Sequence, residues 1–146
     1  MNHHEESADS VSPPLSPSIA RCRAAEILSQ AKLAGVVVHQ DEIARMEVAD
    51  FGLGELAQSG AQILTLVSTE KIAVKLIVLL PKQTLPEHTH PPVGDYAGKE
   101  ETLRCAWGTV YLYGPGDPTP APQGHPPAHR RATYTMWHEY ILQPGA

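Results

Sequence analysis

Residues 86–116 read PEHTHPPVGDYAGKEETLRCAWGTVYLYGPG, and the chemistry is concentrated in the first five, Pro86-Glu87-His88-Thr89-His90. Two histidines at i and i+2 on a strand point to the same face. Both imidazoles can then reach one divalent cation. Alone, such a pair is more often two surface histidines than a metal pair. Glu101 changes the balance. It falls in the next predicted strand, is followed by six residues and then Gly108, and would close a set of two histidines and one carboxylate. Neutral imidazole plus carboxylate oxygen suits Mn²⁺, Fe²⁺, Co²⁺, Ni²⁺ or Zn²⁺.

The surrounding sequence predicts many short strands. Ile63–Val67 and Lys71–Leu80 flank a Ser68-Thr69-Glu70 turn and read as a hairpin. Thr84–His90 reads as the next strand, followed by a loop over 91–99. Glu100–Trp107 and Thr109–Tyr113, joined at Gly108, read as a second hairpin. A Pro/Gly-rich connection over 114–131 leads to a last strand over 132–143. Ten of the fourteen prolines lie between Pro81 and Pro127, which excludes long uninterrupted helices there. Upstream, Ser18 is placed to cap a helix from Ile19 to about Leu33, with Ile19, Cys22, Leu28 and Ala31 as its apolar stripe and Gly35 as its stop. Asp41 is placed to cap a short helix through Arg45, and Gly52 and Gly54 mark a turn region. Residues 1–17, rich in Ser, Pro and acids, read as a disordered tail in which His3 and His4 are solvated. The remainder, 18–146, reads as one domain of mainly β structure, a sandwich or barrel with helices at its N-terminal end.

Composition narrows the function classes. The 146 residues carry a net charge of −5, against a nucleic-acid backbone as main partner. The longest apolar run, Ile72–Leu80, is interrupted by Lys75 and is too short to span a bilayer. Two cysteines, Cys22 and Cys105, make no disulfide framework, and the N-terminus has no apolar signal core. The expected compartment is the reducing cytoplasm. Neither a phosphate-binding glycine loop nor a nucleophile elbow is present.

The H-x-H pair, the glutamate, the six-residue gap and the glycine together resemble the first motif of the cupin superfamily. The gap from His90 to Glu101 is longer than usual for cupins. PEHTHPPVGDYAGKEETLRCAWGTVYLYGPG, with VADFGLGEL upstream and MWHEYILQPG downstream, resembles the D-lyxose isomerase branch over roughly residues 20–146. The resemblance implies a cupin-type sandwich or barrel and a Mn²⁺-dependent aldose–ketose isomerase, with Co²⁺, Fe²⁺ or Zn²⁺ as other ions. Its substrate would be a small free sugar, D-lyxose going to D-xylulose or D-mannose to D-fructose, and its assembly a homodimer. His88, His90 and Glu101 match metal ligands; Glu100 lacks the six-residue spacing to Gly108. Lys99 and Lys75 match pocket lysines assigned to catalysis. Strand alternation adds that Lys75 shares a face with Ile77 and Leu79, putting an amine on the interior side; an edge-strand charge is the alternative.

The resemblance further implies a fourth ligand, a later histidine in a motif opening like Pro144-Gly145, and a carboxylate base. Both would lie past Ala146. The expectation is therefore an incomplete sandwich whose C-terminal strands are missing, with weak metal binding, little turnover and an exposed sheet edge. His125 and His129 match no family ligand, and His138 reads as pocket wall. Trp107, Tyr111 and Tyr113 are candidates for sugar stacking, with core packing favoured for Trp107. Arg104 reads as solvated and Cys105 as a buried, inert thiol. A non-catalytic sugar-binding or accessory cupin is the alternative function, and an Fe²⁺ dioxygenase cupin a third reading that the matching lysines disfavour.

Overall fold

The computed structural model describes residues 14–32 and 35–146. Most of the predicted tail lies outside the described residues, as does the predicted end of the first helix at Leu33. The first helix, α1, spans Pro17–Ala31. Its cap is Ser16 rather than Ser18: the Ser16 hydroxyl accepts from Ile19 N at 3.3 Å, and Pro17 occupies the first turn, where it loses no hydrogen bond. The buried stripe also differs from the expected one. Ala20, Ala24, Leu28 and Ala31 are covered, while Ile19 and Cys22 are exposed. Alanine at three of the four buried positions lets the helix axis approach the sheet closely, so size rather than hydrophobicity selects the face. Gly35 stands just past the helix at φ 86° and donates to Lys32 O, the left-handed stop expected of it.

The second helix, α2, is Gln40–Arg45. Glu42 accepts from the His39 N–H at 2.8 Å, making His39 the cap residue, while Asp41 pairs with Arg45 on the surface. The turn around Gly52 and Gly54 forms as expected, gathered by the Asp50 carboxylate, which accepts from both glycine N–H groups.

Strands β1 (Glu47–Ala49), β2 (Ala61–Ser68) and β3 (Ala73–Val78) form one antiparallel sheet in the order β1-β2-β3. The predicted β2–β3 hairpin is present, with a bulge between Thr65 and Val67. One face, bearing Leu64, Leu76 and Val78, packs with Ala24, Leu28 and Met46 to make the core. The other face carries Ile63, Thr65, Lys75 and Ile77. Lys75 therefore does share a face with Ile77, but that face is the open one: Lys75 is exposed, Ile77 is 40% exposed, and β3 ends before Leu79. Helix α1 decides which side is interior, and it covers the opposite one.

Strands β4 (Val110–Gly114) and β5 (His138–Leu142) form a second, two-stranded antiparallel sheet. The predicted partner of β4, 100–107, is not a strand. The long-range partner wins because β5 offers Tyr140 opposite Leu112 and Glu139 opposite Tyr113, whereas 100–104 offers two glutamates and an arginine. Residues 84–90 are not a strand either, apart from one bridge between Thr84 and Ser59. Pro86 removes an N–H donor within the stretch that a ladder would need, and Pro91 and Pro92 remove two more directly after it. The last strand is shorter than predicted, and a 3-10 helix, Ala128–Thr133, occupies its expected start. The architecture is thus helices with small antiparallel sheets. The expected cupin-type sandwich or barrel, incomplete at its C-terminal end, is seen only as these separate small sheets: among the described residues no closed barrel or sandwich is formed, no residue of β4 or β5 is buried, and Tyr140 and Ile141 are both 44% exposed. Among the described residues no helix is long and apolar enough to cross a membrane.

Candidate metal centre

The chain enters the site at a well-fixed point. Gln83 is buried and its amide bridges Leu80 N and Leu56 O, while Thr84 exchanges backbone bonds with Gln58 and Gly60. A Cβ on Gly60 would meet Leu56, Ala49 O and the Gln83 amide within about 3 Å, so only glycine fits there. Beyond Thr84 the backbone is irregular as far as Thr109.

Within that irregular stretch, His88, His90 and Glu101 converge. One ligand atom from each lies within 4.8 Å of the others, and they are the three-residue cluster suited to a metal among the described residues. His90 Nε2 is 3.0 Å from Glu101 Oε1. Ligands about 2.1 Å from one ion and at right angles to each other stand about 3 Å apart, so this pair already has the spacing of adjacent ligands. His88 Nδ1 is 2.9 Å from Pro86 O. A carbonyl oxygen only accepts, so Nδ1 carries the proton and leaves the Nε2 lone pair free for a cation, the usual way an outer contact fixes the ligating tautomer. The two rings meet edge to face at 5.1 Å. A glycine is required where the loop folds back: Gly98 has φ 123°, and a Cβ there would stand 2.8 Å from His90 O. The residues present therefore fit a divalent ion of the N/O-preferring kind, which His88, His90 and Glu101 would hold.

Lys99 belongs to the same group, with Nζ 2.9 Å from Glu101 Oε1. That hydrogen bond is the first cause holding the Glu101 carboxyl below the usual range. Partial burial opposes it, and the electrostatic pull of the Lys99 ammonium reinforces it. Glu101 thus stays ionised, as a ligand must. The Lys75 amine, by contrast, makes no hydrogen bond or ion pair among the described residues, the residue being held only through its place in the β2–β3 ladder.

The other singled-out residues lie apart from the triad. His129 Nε2 contacts Glu55 Oε2 at 2.8 Å, and His138 Nδ1 donates to Asp117 O. Trp107 is 40% exposed and not core as favoured; Tyr111 and Arg104 are also exposed. Cys105 is buried as expected, its thiol near the carbonyls of Trp107 and Gly108. Three carboxylates escaped the sequence reading. Glu139 accepts from Gln123 N, Gly124 N and the Tyr113 hydroxyl, which fastens the Pro-rich loop over β4. Burial first, and then that bond to Glu139, pushes the Tyr113 hydroxyl upward. Glu55 binds Arg130, Ser59 and His129. Glu87 reaches Thr135 and Met136. Apart from the local Ser59–Glu55 bond, each pairing is long-range, and only Glu87 had a local sequence signal, its place inside the histidine motif.

No protein-family model matches the chain. Curated relatives do. It is 46% identical over 126 residues to a D-lyxose ketol-isomerase of Thermofilum sp. (strain ex4484_79), a match covering 86% of this chain and 68% of the relative. The same identity and coverage hold for a D-lyxose ketol-isomerase of Cohnella laeviribosi. A D-lyxose/D-mannose isomerase of Thermosediminibacter oceani is 47% identical over 114 residues, covering 78% of this chain and 63% of the relative.

Proposed function

Because the chain belongs to the D-lyxose ketol-isomerase family, we propose that it is a metal-dependent aldose–ketose isomerase acting on a free pentose or hexose, with Mn²⁺ as its ion. The observation that carries the reading is the convergence of His88, His90 and Glu101, with the Lys99 amine at 2.9 Å from the shared carboxylate. The relatives' names give D-lyxose and D-mannose as the sugars they act on, and the corresponding ketoses, D-xylulose and D-fructose, are the candidate products proposed for this chain.

Aldose-to-ketose conversion moves one hydrogen from carbon 2 to carbon 1 and one proton from the carbon-2 oxygen to the carbon-1 oxygen. A bound divalent ion supplies Lewis acidity toward those two oxygens, lowering the cost of the negative charge that develops between them. His88, His90 and Glu101 would hold the ion. Lys99, hydrogen-bonded to Glu101, is assigned to steady a sugar oxygen or exchange its proton. Lys75, on the uncovered face of β3, is assigned the second such role. The full cupin-type sandwich is the architecture proposed for the family as a whole.

The test is purified chain with Mn²⁺ and D-lyxose, with the Cohnella laeviribosi relative as standard. Ketose is expected in a form that requires Mn²⁺ and disappears in Glu101→Ala, at a rate below that of the standard. Calorimetric sugar binding with no ketose at saturating Mn²⁺ would move the chain to the non-catalytic sugar-binding class.

A further inference from the structure

The stretch 85–104 carries all three candidate ligands yet contains no helix and no strand. Its internal hydrogen bonds are local: His88 with Pro86, Val93 with Tyr96, Lys99 with Glu101. Among the described residues, its hydrogen bonds to the rest of the molecule all run through one side chain, Glu87. Glu87 Oε2 accepts from Thr135 N at 2.7 Å and from Met136 N at 3.3 Å. Its other oxygen accepts from the Thr135 hydroxyl. Bonds to an ionised carboxylate are roughly twice as strong as neutral ones, so this is a firm attachment.

The platform on the far side is itself held. Trp137 packs edge-on against Tyr113 and Tyr134, lies under the Arg131 guanidinium at 4.3 Å, and accepts from Thr119 N through its carbonyl at 3.0 Å. Glu87 is not one of the three clustered ligand residues, and its carboxylate oxygens are taken up by Thr135 and Met136.

We propose that Glu87 is a positioning residue for the metal centre, fastening the histidine-bearing stretch to the Tyr134–Trp137 platform so that His88 and His90 meet Glu101 before the ion arrives. An unfastened stretch would have to be ordered at the moment of binding, and affinity would fall by that cost. The inference rests on the reading of His88, His90 and Glu101 as ligands, and the experiment separates the two.

The full chain is compared with Glu87→Ala, Glu87→Gln and Thr135→Val by three measurements: Mn²⁺ titration calorimetry, amide hydrogen exchange at Thr135 and Met136, and thermal melting. In Glu87→Ala the Mn²⁺ Kd rises about tenfold, within the range known for outer contacts of metal sites, and both amides lose protection. Glu87→Gln, which keeps one acceptor oxygen but turns a donor toward another donor, falls between the parent and Glu87→Ala. Thr135→Val, which removes only the hydroxyl, shows the smallest rise. A core variant matched to Glu87→Ala in melting temperature keeps the parent Kd. An unchanged Kd in Glu87→Ala, or an equal rise in the matched core variant, overturns the positioning role. A parent chain that binds no Mn²⁺ while Thr135 and Met136 stay protected overturns the ligand reading, and the positioning role falls with it.

Discussion

Leu64 and Val78, under helix α1, are 1% and 6% exposed, whereas the His90 and Glu101 side chains keep 35% and 38% of their surface. The first pair sits in a hydrogen-bonded sheet with a helix packed across it. The second sits in a stretch, 85–104, without regular structure, whose hydrogen bonds to the rest, among the described residues, run through the Glu87 carboxylate. The helix-covered sheet is held by apolar burial, which is non-directional and cooperative. The candidate centre is held by a few directional polar contacts. Stability and chemistry are therefore divided between the two regions, and each ought to be alterable with little effect on the other.

The largest effect on one side comes from the core. Leu64→Ala removes a fully covered side chain and should lower the unfolding free energy by about 3 kcal/mol, read from the urea midpoint. The Mn²⁺ Kd of the protein that remains folded should not change. A Kd that moved in step with stability would break the comparison. On the other side, Glu101→Ala should weaken Mn²⁺ binding by about a hundredfold or more, roughly 2.7 kcal/mol, while the urea midpoint stays within about 0.5 kcal/mol of the parent, as for other exposed substitutions. Calorimetry and denaturation on the same preparation check both halves.

How far the sequence revealed each region follows from the range of the contacts. The β2–β3 hairpin was legible because two β-branched runs flank a short turn, so the pairing partner is next in the chain. The triad was legible because its three residues lie within one short stretch and their spacing is local. What pairs at long range was not. Strand β4 took β5 rather than its neighbour, and Glu87 found Thr135 from 48 residues away. Lys75 shows a subtler gap. Alternation put it correctly on the Ile77 side, but periodicity gives two faces and does not say which one a helix will cover. For α1 the same ambiguity was resolved by alanine size, a signal that a hydrophobicity pattern underweights.

A smaller effect would sharpen the picture of the stable region. Gln62 is 0% exposed, on the helix-covered face beside Leu64, and neither its amide nitrogen nor its oxygen has a hydrogen-bond partner among the described residues. An unpaired buried amide costs about 1–3 kcal/mol. Gln62→Met keeps the length of the side chain and removes the polar atoms, and should raise the unfolding free energy by about 1 kcal/mol without changing Mn²⁺ binding. A drop in stability would show that the amide is paired in solution, most simply by an enclosed water.

The smallest effect is a pH dependence at the contact that ties the 51–60 loop to the 3-10 helix. The Arg130 guanidinium beside Glu55, helped by the Ser59 hydroxyl and by His129, pulls the Glu55 carboxyl from 4.5 down to about 2. Because the folded value lies below the unfolded one, the unfolded chain binds the proton more readily. The contribution of Glu55 is therefore complete above about pH 5 and is lost as the pH falls from 4.5 toward 2. The contact is at the surface, where water and salt screen such pairs, so the change should be small and shrink further in 1 M salt. Urea midpoints for the parent and Glu55→Gln at pH 6 and pH 3 isolate it. The parent should lose more on acidification than the variant does, so the gap between the two should be narrower at pH 3 than at pH 6. Equal losses would mean that Glu55 is as free in the folded chain as in the unfolded one, and that the loop is held by the Asp50 and Gln83 contacts alone.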